Sequence, residues 1–443
     1  MERAARRIVD KLRSHGHEAF FAGGYVRDLL LRRKPQDIDI ATSAVPEQVR
    51  RLFSHTNLIG ARYGVVQVRL YGHPYEVTTF RTEGPYLDGR RPSSVTFSSP
   101  EQDARRRDFT VNGLFYDPTA GRIIDYVRGK PDIRNRIIRT IGRPEDRFAE
   151  DKLRMLRAVR FACNLEFTIE SATWEAIRQH ADEIRLVSWE RIRDEILRLL
   201  TGPDPSRGLD LLFESGLLGW ILPEVEAMRG VPQPPEYHPE GDVYTHTKLA
   251  LGLLRRPSPE LALATLLHDV GKPPTFSLEE RIRFDGHVEL GARMAAEICR
   301  RLRLSNDRTE RVVDLVLHHL RFMHVKEMRQ STLKRFLSKQ NFRDHLELHR
   351  VDCLSSHRDL EGYRFCLEKL RQLEREPPPR EPIVRGDDLI ALGYEPGPLF
   401  KEILRTIEDM RLEGVIATRE EALVQIRKLF PLIKATRGTE ESH

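Results

Sequence analysis

Asp37 and Asp39 stand two residues apart in the run FAGGYVRDLLLRRKPQDIDIAT, Phe21 to Thr42. Residues i and i+2 of a strand project from one face, so the two carboxylates converge. Paired hard oxygen donors suit a Mg²⁺ ion that must also hold a triphosphate. Upstream, Gly23 and Gly24 let backbone N–H groups approach phosphate closely, with Arg27 and Asp28 at the expected start of a helix. A glycine turn or a D-x-D alone is common in loops and at strand ends; the ordered combination is far rarer.

Two further clusters extend this chemistry. In Arg106-Arg107-Asp108-Phe109-Thr110-Val111-Asn112, guanidinium forks suit phosphate oxygens and a carboxylate accepts from a ribose 2′-OH. The plainer alternative is a solvated charge run. In Glu150-Asp151-x-x-Arg154-x-x-Arg157-x-x-Arg160, helical spacing brings Asp151 and Arg154 to one face as an acceptor beside a donor. Adenine and cytosine each present an exocyclic NH₂ beside a ring acceptor, whereas uracil and guanine present the reverse order, so such a pair selects A and C. Arg160 falls about 180° round an ideal helix from Asp151, which leaves it phosphate or packing duty. An ordinary surface ion pair is the competing reading of Asp151 and Arg154.

A third cluster is rich in histidine: Tyr244-Thr245-His246, then LATLLHDVGK with His268, Asp269 and Lys272, then His287, then His318-His319, and finally Asp352. Neutral imidazoles mixed with carboxylates favour a transition metal such as Mn²⁺, Fe²⁺, Co²⁺ or Ni²⁺ over Mg²⁺, and water activated there hydrolyses phosphoesters. A lone histidine is usually structural, but here an adjacent His-Asp pair ends an apolar helix, with further histidines at helical intervals. His246, His268, Asp269 and Asp352 are the expected ligands, His287 and His318 belong to a second metal, and Lys272 is placed to bind phosphate. His55, His73, His324, His345 and His349 take the structural reading.

The elements that must position these groups follow from the texture of the 443 residues. Up to about residue 143, short β-branched runs (VVQVRL, YEVTTF, RIIDYV) alternate with Gly and Pro turns, an α+β head with a small mixed sheet. AEDKLRMLRAVRFACNL, ATWEAIRQHADEIRL, SWERIRDEILRLL and RGLDLLFESGLLGWIL then have helical periodicity, an all-α body over residues 144–229. The Pro-rich run GVPQPPEYHPEGD marks a boundary. An all-α histidine-rich domain spans 230–373, and the stiff EREPPPREP leads into a helical tail of two helices, 374–443. Lys and Arg exceed Asp and Glu by 73 to 67, and a pI of about 9.1 is compatible with a polyanionic partner. Cys163, Cys299, Cys353 and Cys366 are scattered without a C-x-x-C pair, so neither a thiolate zinc site nor a disulfide framework is implied. The N-terminus reads as an amphipathic helix, with no apolar run for a signal peptide or membrane span, and the cytoplasm is the expected compartment.

GGYVRD with DID, RRDFTVN and EDKLRMLRAVRFA, in that order, resemble the class II bacterial tRNA nucleotidyltransferase and poly(A) polymerase family, whose heads have the polymerase β-like nucleotidyltransferase fold. The resemblance covers about residues 19–225. His246, His268-Asp269 and Asp352 resemble the HD phosphohydrolase domain that some CCA-adding enzymes carry, and DLIALGYEPGP is similar to their C-terminal element. The resemblance implies Mg²⁺ on Asp37 and Asp39, with Glu76 as a third carboxylate. It implies phosphate contacts from Gly24 and Arg27, and triphosphate and ribose contacts from Arg107 and Asp108. Selection of CTP and then ATP would fall to Asp151 and Arg154, with Arg157 and Arg160 nearby. The substrate implied is the tRNA 3′ end, held by its acceptor and TψC arms. Ser188-Trp189-Glu190-Arg191-x-x-x-Glu195 resembles the structural motif of the neck. Enzymes adding only A or only CC, and poly(A) polymerases, share the catalytic acids. The segment TFRTEGPYLDGRRPSSVTF resembles the full-length flexible loop that CC-only members match less well, and the chain has the HD block where poly(A) polymerases have a basic extension. An HD phosphohydrolase with a degenerate RNA-binding head is the alternative from another class.

Overall fold

The computed structural model describes residues 1–35, 37–58, 64–84, 94–375 and 382–432, and divides into two compact units, Met1–Val316 and Leu317–His443. Part of the expected flexible loop (85–93) and most of the expected Pro linker (376–381) lie outside the described residues.

The first unit opens with α1 (Glu2–Ser14), whose Ala4, Ala5, Ile8, Val9 and Leu12 recur at helical spacing and are buried. Burying a side chain such as Ile8 or Leu12 is worth about 1.5–3 kcal/mol, which pins α1 to the sheet. That sheet combines β1 (Ala19–Ala22), β2 (Asp39–Thr42), β3 (Thr56–Asn57), β4 (Val65–Leu70), β5 (His73–Thr79), β8 (Leu114–Asp117) and β9 (Arg122–Asp125), in the order β3-β4-β5-β2-β1-β8-β9. β6 (Arg81–Glu83) and β7 (Val95–Phe97) form a separate ribbon. β2 and β5 pair in parallel while the other neighbours are antiparallel, so the sheet is mixed, as expected.

Alternation along the strands assigns the faces. Ile40 pairs with Val77, and both are fully buried. On the other face Phe20, Ala22 and Ala41 pack with Phe80, Ala104 and Phe115. Asp39, opposite Ala22, and Glu76, one residue before the Ile40–Val77 pair, therefore stand together at the end of that second face. α2 (Gly24–Leu30), α3 (Pro46–Leu52), α4 (Pro100–Arg105) and α5 (Gly129–Asn135) complete the head.

The neck differs from the sequence expectation in one respect. AEDKLRMLRAVRFACNL is not one helix: α6 (Pro144–Glu150) stops and α7 (Leu153–Leu165) begins after a break at Asp151, which has φ −148° and ψ 106°. Asp151 Oδ1 accepts from the Leu153 N–H at 3.1 Å, a local side-chain bond of the kind that competes with helix continuation. Asp151 and Arg154 are thus not stacked on one helical face. α8 (Ser171–Gln179) likewise ends before a 3₁₀ turn, Ala181–Leu186, and RGLDLLFESGLLGWIL is split by left-handed Gly216 into α10 (Pro205–Glu214) and α11 (Leu217–Ile221). Between these lies α9 (Trp189–Leu200), packed on α7.

α12 (Pro223–Glu226) leads to the Pro-rich run, and α13 (Val243–Gly252), α14 (Pro259–Leu267), α15 (Lys272–Thr275), α16 (His287–Arg301) and α17 (Asn306–His318) follow. The second unit holds α18 (Gln330–Leu337), α19 (Phe342–Ser355) and α20 (Glu361–Arg375) around Phe322, Phe336 and Phe342. Its tail has three helices rather than the expected two: α21 (Gly386–Ala391), α22 (Pro398–Leu412) and α23 (Arg419–Leu429) enclose Leu389, Ile403 and Ile426. The four cysteines are buried free thiols. Among the described residues no helix is long and apolar enough to cross a membrane.

On α7, Arg160 is buried with its guanidinium paired to Glu195 of α9, itself only 2% exposed. Glu195→Ala strands a buried cation, and stability should fall by about 3 kcal/mol or more. Urea denaturation followed by circular dichroism reads this, and an unchanged midpoint would mean that Arg160 has a sufficient second counter-charge.

Candidate functional site

A cavity of about 600 Å³ opens between head and neck, lined from the head by Gly23, Gly24, Asp37, Asp39 and Glu76 and from the neck by Asp151, Arg154 and Arg191. Asp37 lies just before β2 rather than within it, and is exposed. Burial, with the charges of Asp37 and Glu76 nearby, pushes the Asp39 carboxyl up to about 6 against the pull of Arg107. Three carboxylates lining one cavity, all offering hard oxygen, fit a divalent cation.

Gly23 is needed where it stands. Its φ is +65°, and a Cβ there would come within 3.2 Å of Arg107 Nη1 and 3.7 Å of Asp39 Oδ2. Its N–H donates to the Leu114 carbonyl (3.2 Å), so the turn anchors to β8 through Gly23, and α2 begins at Gly24.

The arginines are held by acids and amides. Asp103, which sequence reasoning passed over, takes Arg106 on Oδ1 (2.7 Å) and Arg107 on Oδ2 (3.0 Å); the signal was its position three and four residues ahead of them, in the last turn of α4. Asn112 accepts from Arg27 Nη1 (2.8 Å) and donates to Asp108 Oδ1 (3.2 Å). Asp108 also accepts from the Phe109 N–H (2.8 Å) and, on Oδ2, from Arg157 Nε and Nη2 (3.0 and 2.6 Å). Burial alone would raise the Asp108 carboxyl, but Arg157 and Asn112 hold it at about 2. A ribose hydroxyl reaching Asp108 must therefore share it with Arg157. Arg160, expected to have phosphate or packing duty, lies over the Phe161 ring at 4.0 Å, pairs with Glu195 and lines the cavity.

Arg154 is buried, bonded to Glu150 and to the Arg147 carbonyl (3.1 Å). Asp151 is gripped from α9: Arg191 Nη1 donates to Oδ1 at 3.0 Å and Nη2 to Oδ2 at 2.7 Å. Sequence reasoning gave Arg191 a purely structural place in the neck motif. It lines the cavity and orients the carboxylate beside Arg154.

The first unit also carries a histidine centre. His246 (α13), His268 and Asp269 are buried, and the two Nε2 atoms lie 3.2 Å apart. His246 Nδ1 faces Glu240 Oε1 (2.7 Å), His268 Nδ1 the Thr265 carbonyl (2.8 Å), and His287 Nδ1 the Phe284 carbonyl (2.7 Å). An oxygen acceptor fixes the proton on Nδ1, so each neutral imidazole has its lone pair on Nε2. His268 and His287 bring those atoms to 3.3 and 3.9 Å from the Asp269 oxygens. Facing lone pairs around one carboxylate fit a cation. A Cβ on Gly271 would lie 2.1 Å from the His287 carbonyl oxygen, so only glycine lets the turn after Asp269 meet α16 this closely.

Lys272 departs from the expectation of phosphate binding: its ammonium is buried, on Asp269 (2.7 Å) and Gln233 Oε1 (2.7 Å). Despite burial, Lys272 and His268 hold the Asp269 carboxyl well below the usual carboxylate range. His318 and Asp352 belong to the second unit, where His318 packs edge-on to His345 (6.0 Å). The Pro-rich run is not a plain boundary, since Gln233 and Glu240 both reach the histidine centre.

The head with its mixed sheet, the helical body and the HD domain together define a nucleotidyltransferase fold. Three family models agree: "Poly A polymerase head domain" over residues 19–139, "Probable RNA and SrmB- binding site of polymerase A" over 166–229, and "HD domain" over 243–341. The chain belongs to the tRNA nucleotidyltransferase and poly(A) polymerase family. It is 50% identical over 215 residues to the CCA-adding enzyme of Geobacillus stearothermophilus, a match covering 48% of this chain and 53% of that one. The match thus spans about half the length of such curated relatives. A crystal structure of the Bacillus stearothermophilus CCA-adding enzyme in complex with CTP is 32% identical, with a TM-score of 0.72 over 96% of this chain and 98% of that one. The Thermotoga maritima CCA-adding enzyme complexed with tRNA, 19% identical with a TM-score of 0.57 over 96% of this chain and 94% of that one, shares the fold. The head and HD domains imply dependence on divalent metal.

Placing a methyl group at position 23 tests the turn. Gly23→Ala should cost about 1 kcal/mol or more from the left-handed φ alone and displace Arg107. A Tm drop and a moved Arg107 in the variant's crystal structure are expected; an unchanged Tm and Arg107 position would show that the turn tolerates the methyl.

Proposed function

We propose that this chain adds CCA to the 3′ end of tRNA in the cytoplasm, using CTP and then ATP without a nucleic-acid template. The observation that carries this reading is one cavity lined both by the head's carboxylate trio, Asp37, Asp39 and Glu76, and by Asp151 and Arg154 of the neck. A nucleoside triphosphate laid along it has its phosphates at Asp37, Asp39 and Glu76 and its base at the neck. Asp37 and Asp39, with Glu76 as the third carboxylate, hold Mg²⁺. When bound there, Mg²⁺ would supply charge neutralisation of the triphosphate and a lowered pKa for the attacking hydroxyl. The new bond joins the tRNA 3′ oxygen to the α-phosphorus, and the α–β phosphoanhydride bond breaks to release pyrophosphate.

The chain's own residues orient the reactants. Gly24, Arg27 and Arg107 bind phosphate oxygens, and Asp108 meets the ribose while it holds Arg157. Asp151, held by Arg191 through both oxygens, accepts from the exocyclic NH₂ of C or A, and Arg154 donates to the ring nitrogen. The body, in a chain of net charge +6, holds the acceptor and TψC arms by phosphate and shape. The printed activity of the relatives and the CTP complex of the solved neighbour support this reading. The test supplies tRNA transcripts lacking all three terminal nucleotides, lacking only the last, or complete, with each nucleoside triphosphate separately. Two C residues and then one A are expected. Asp37→Ala or Asp39→Ala should abolish addition while tRNA binding survives; most of the activity persisting in either variant would sink the assignment. Addition of C alone, of A alone, or of an A tract would instead identify the related partial enzymes or a poly(A) polymerase.

A second reading is favoured by the histidine centre, where three Nε2 lone pairs gather about Asp269. We infer a phosphohydrolase that uses Ni²⁺, Mn²⁺ or Co²⁺ on His246, His268 and Asp269, with His287 nearby. The expected ligand role of Asp352, and that of His287 and His318 toward a second metal, belong to the same proposal. Removing a 2′,3′-cyclic phosphate or 3′-phosphate would restore the 3′-OH that addition requires. His268→Ala with Asp269→Ala should eliminate metal-dependent hydrolysis of 2′,3′-cyclic AMP and p-nitrophenyl phosphate derivatives and leave nucleotide addition near wild type. No hydrolysis by the parent chain with any of the three metals would reduce the centre to a structural remnant.

A further inference from the structure

We propose that the Pro-rich run Val231–Asp242 is a strap that sets up the histidine centre, with Glu240 as the positioning residue that fixes the proton of His246 on Nδ1 and aims its Nε2 at a divalent transition metal. The inference rests on the metal reading of that centre and adds residues which the HD resemblance does not name.

Glu240 Oε1 accepts from His246 Nδ1 at 2.7 Å and from His238 Nδ1 at 2.9 Å. The two rings stand almost perpendicular, 88° apart with centroids at 5.0 Å, so both Nδ1 atoms reach one oxygen without the rings stacking. The Glu240 side chain is only 7% exposed and that of His246 is fully buried, so the bond is shielded from water. His268 and His287 present Nδ1 to backbone carbonyls, which every sequence supplies. Of these three rings, His246 is the one whose proton is set by a charged side chain, and a carboxylate behind an imidazole fixes its tautomer and raises its basicity as a ligand.

The strap is built to deliver this carboxylate. Pro232 and Asp242 form an antiparallel bridge, the Gly230 N–H donates to Asp242 Oδ2 (2.6 Å), and the Val243 N–H donates to the Val231 carbonyl (3.1 Å). Asp242 Oδ1 meanwhile caps α13 through the Thr245 N–H (2.8 Å), so one residue closes the strap and starts the helix that carries His246. Gln233, near the other end, accepts from Lys272, the cation on Asp269. His238, Glu240 and His246 also lie close enough together to be a metal group in their own right. An ion there would have to displace both Nδ1 protons from Glu240, which gives the opposite tautomer signature.

The test uses the full chain with ¹⁵N-labelled histidine, stripped of metal. Long-range ¹H–¹⁵N spectra should show His246 protonated on Nδ1 in the parent and in Glu240→Gln, whose amide oxygen still accepts, and shifted toward Nε2–H in Glu240→Ala. Calorimetric titration with Ni²⁺ and Mn²⁺ should give an affinity about 10–100-fold weaker in Glu240→Ala, a smaller loss in His238→Ala, and partial rescue in Glu240→Gln. An unchanged His246 tautomer together with unchanged affinity in Glu240→Ala would overturn the proposal, as would metal-induced loss of both Nδ1 protons in the parent. If the parent binds neither metal, the metal reading of the centre fails, and the metal-free tautomer still decides whether Glu240 fixes His246.

Discussion

Burying a guanidinium without a counter-charge is too costly for a fold of ordinary stability, and the cavity between head and neck is organised by that constraint. Arg27 leans on Asn112, Asn112 on Asp108, Asp108 on Arg157, and Glu195 takes Arg160 and approaches Arg157 at 3.7 Å. This chain of bonds crosses from the RRDFTVN motif to α7 and on to α9, so the relative placement of the nucleotide-facing residues follows from where each arginine finds its acid. In a low-dielectric setting such networks are rigid when fully satisfied. The head side of the cavity breaks the pattern: the charges of Asp37 and Glu76, with burial, push the Asp39 carboxyl up against the pull of Arg107.

The two candidate centres in the first unit solve related problems with different donors. In the head, hard oxygens are collected at the end of a sheet face by the registers of β1, β2 and β5. In the histidine centre, imidazoles come from separate helices and turns, and their donor atoms are selected by what stands behind each ring. The first design depends on strand register and the second on hydrogen bonds to Nδ1, so they are vulnerable to different substitutions.

Much of this was legible in the chain itself because it depends on local spacing. Gly23, Gly24, Asp37 and Asp39 announce a turn, a helix start and paired donors, and the α+β head followed by helices is as the hydrophobic periodicity indicates. What could not be read was set by partners distant in sequence. The break at Asp151 is invisible to periodicity, since flanking residues continue the helical pattern and the decisive bonds come from its own side chain and from Arg191 on α9. Lys272 looked available for phosphate although Asp269, three residues before it, was a legible partner; only Gln233, far back in the chain, could not be read. The Pro-rich run was read as a boundary on composition alone, whereas its Glu240 pairs with His246 on the next helix and its Gln233 with Lys272. The third tail helix was missed because α21 is six residues long, below the length at which periodicity speaks.

Among the described residues lining the head cavity, every cation is an arginine: Arg27, Arg81, Arg106, Arg107, Arg154, Arg157, Arg160 and Arg191, with no lysine among them. Guanidinium groups stay charged to very high pH and are not substrates for acetylation. The positive wall of this cavity is therefore indifferent to acyl-donor metabolism and to amine-reactive reagents that would neutralise a lysine-lined cleft. Its exposure runs instead to α-dicarbonyls, which condense with guanidinium groups, so the same choice of cation that gives directional, permanent charge ties this site to the carbonyl stress of its surroundings.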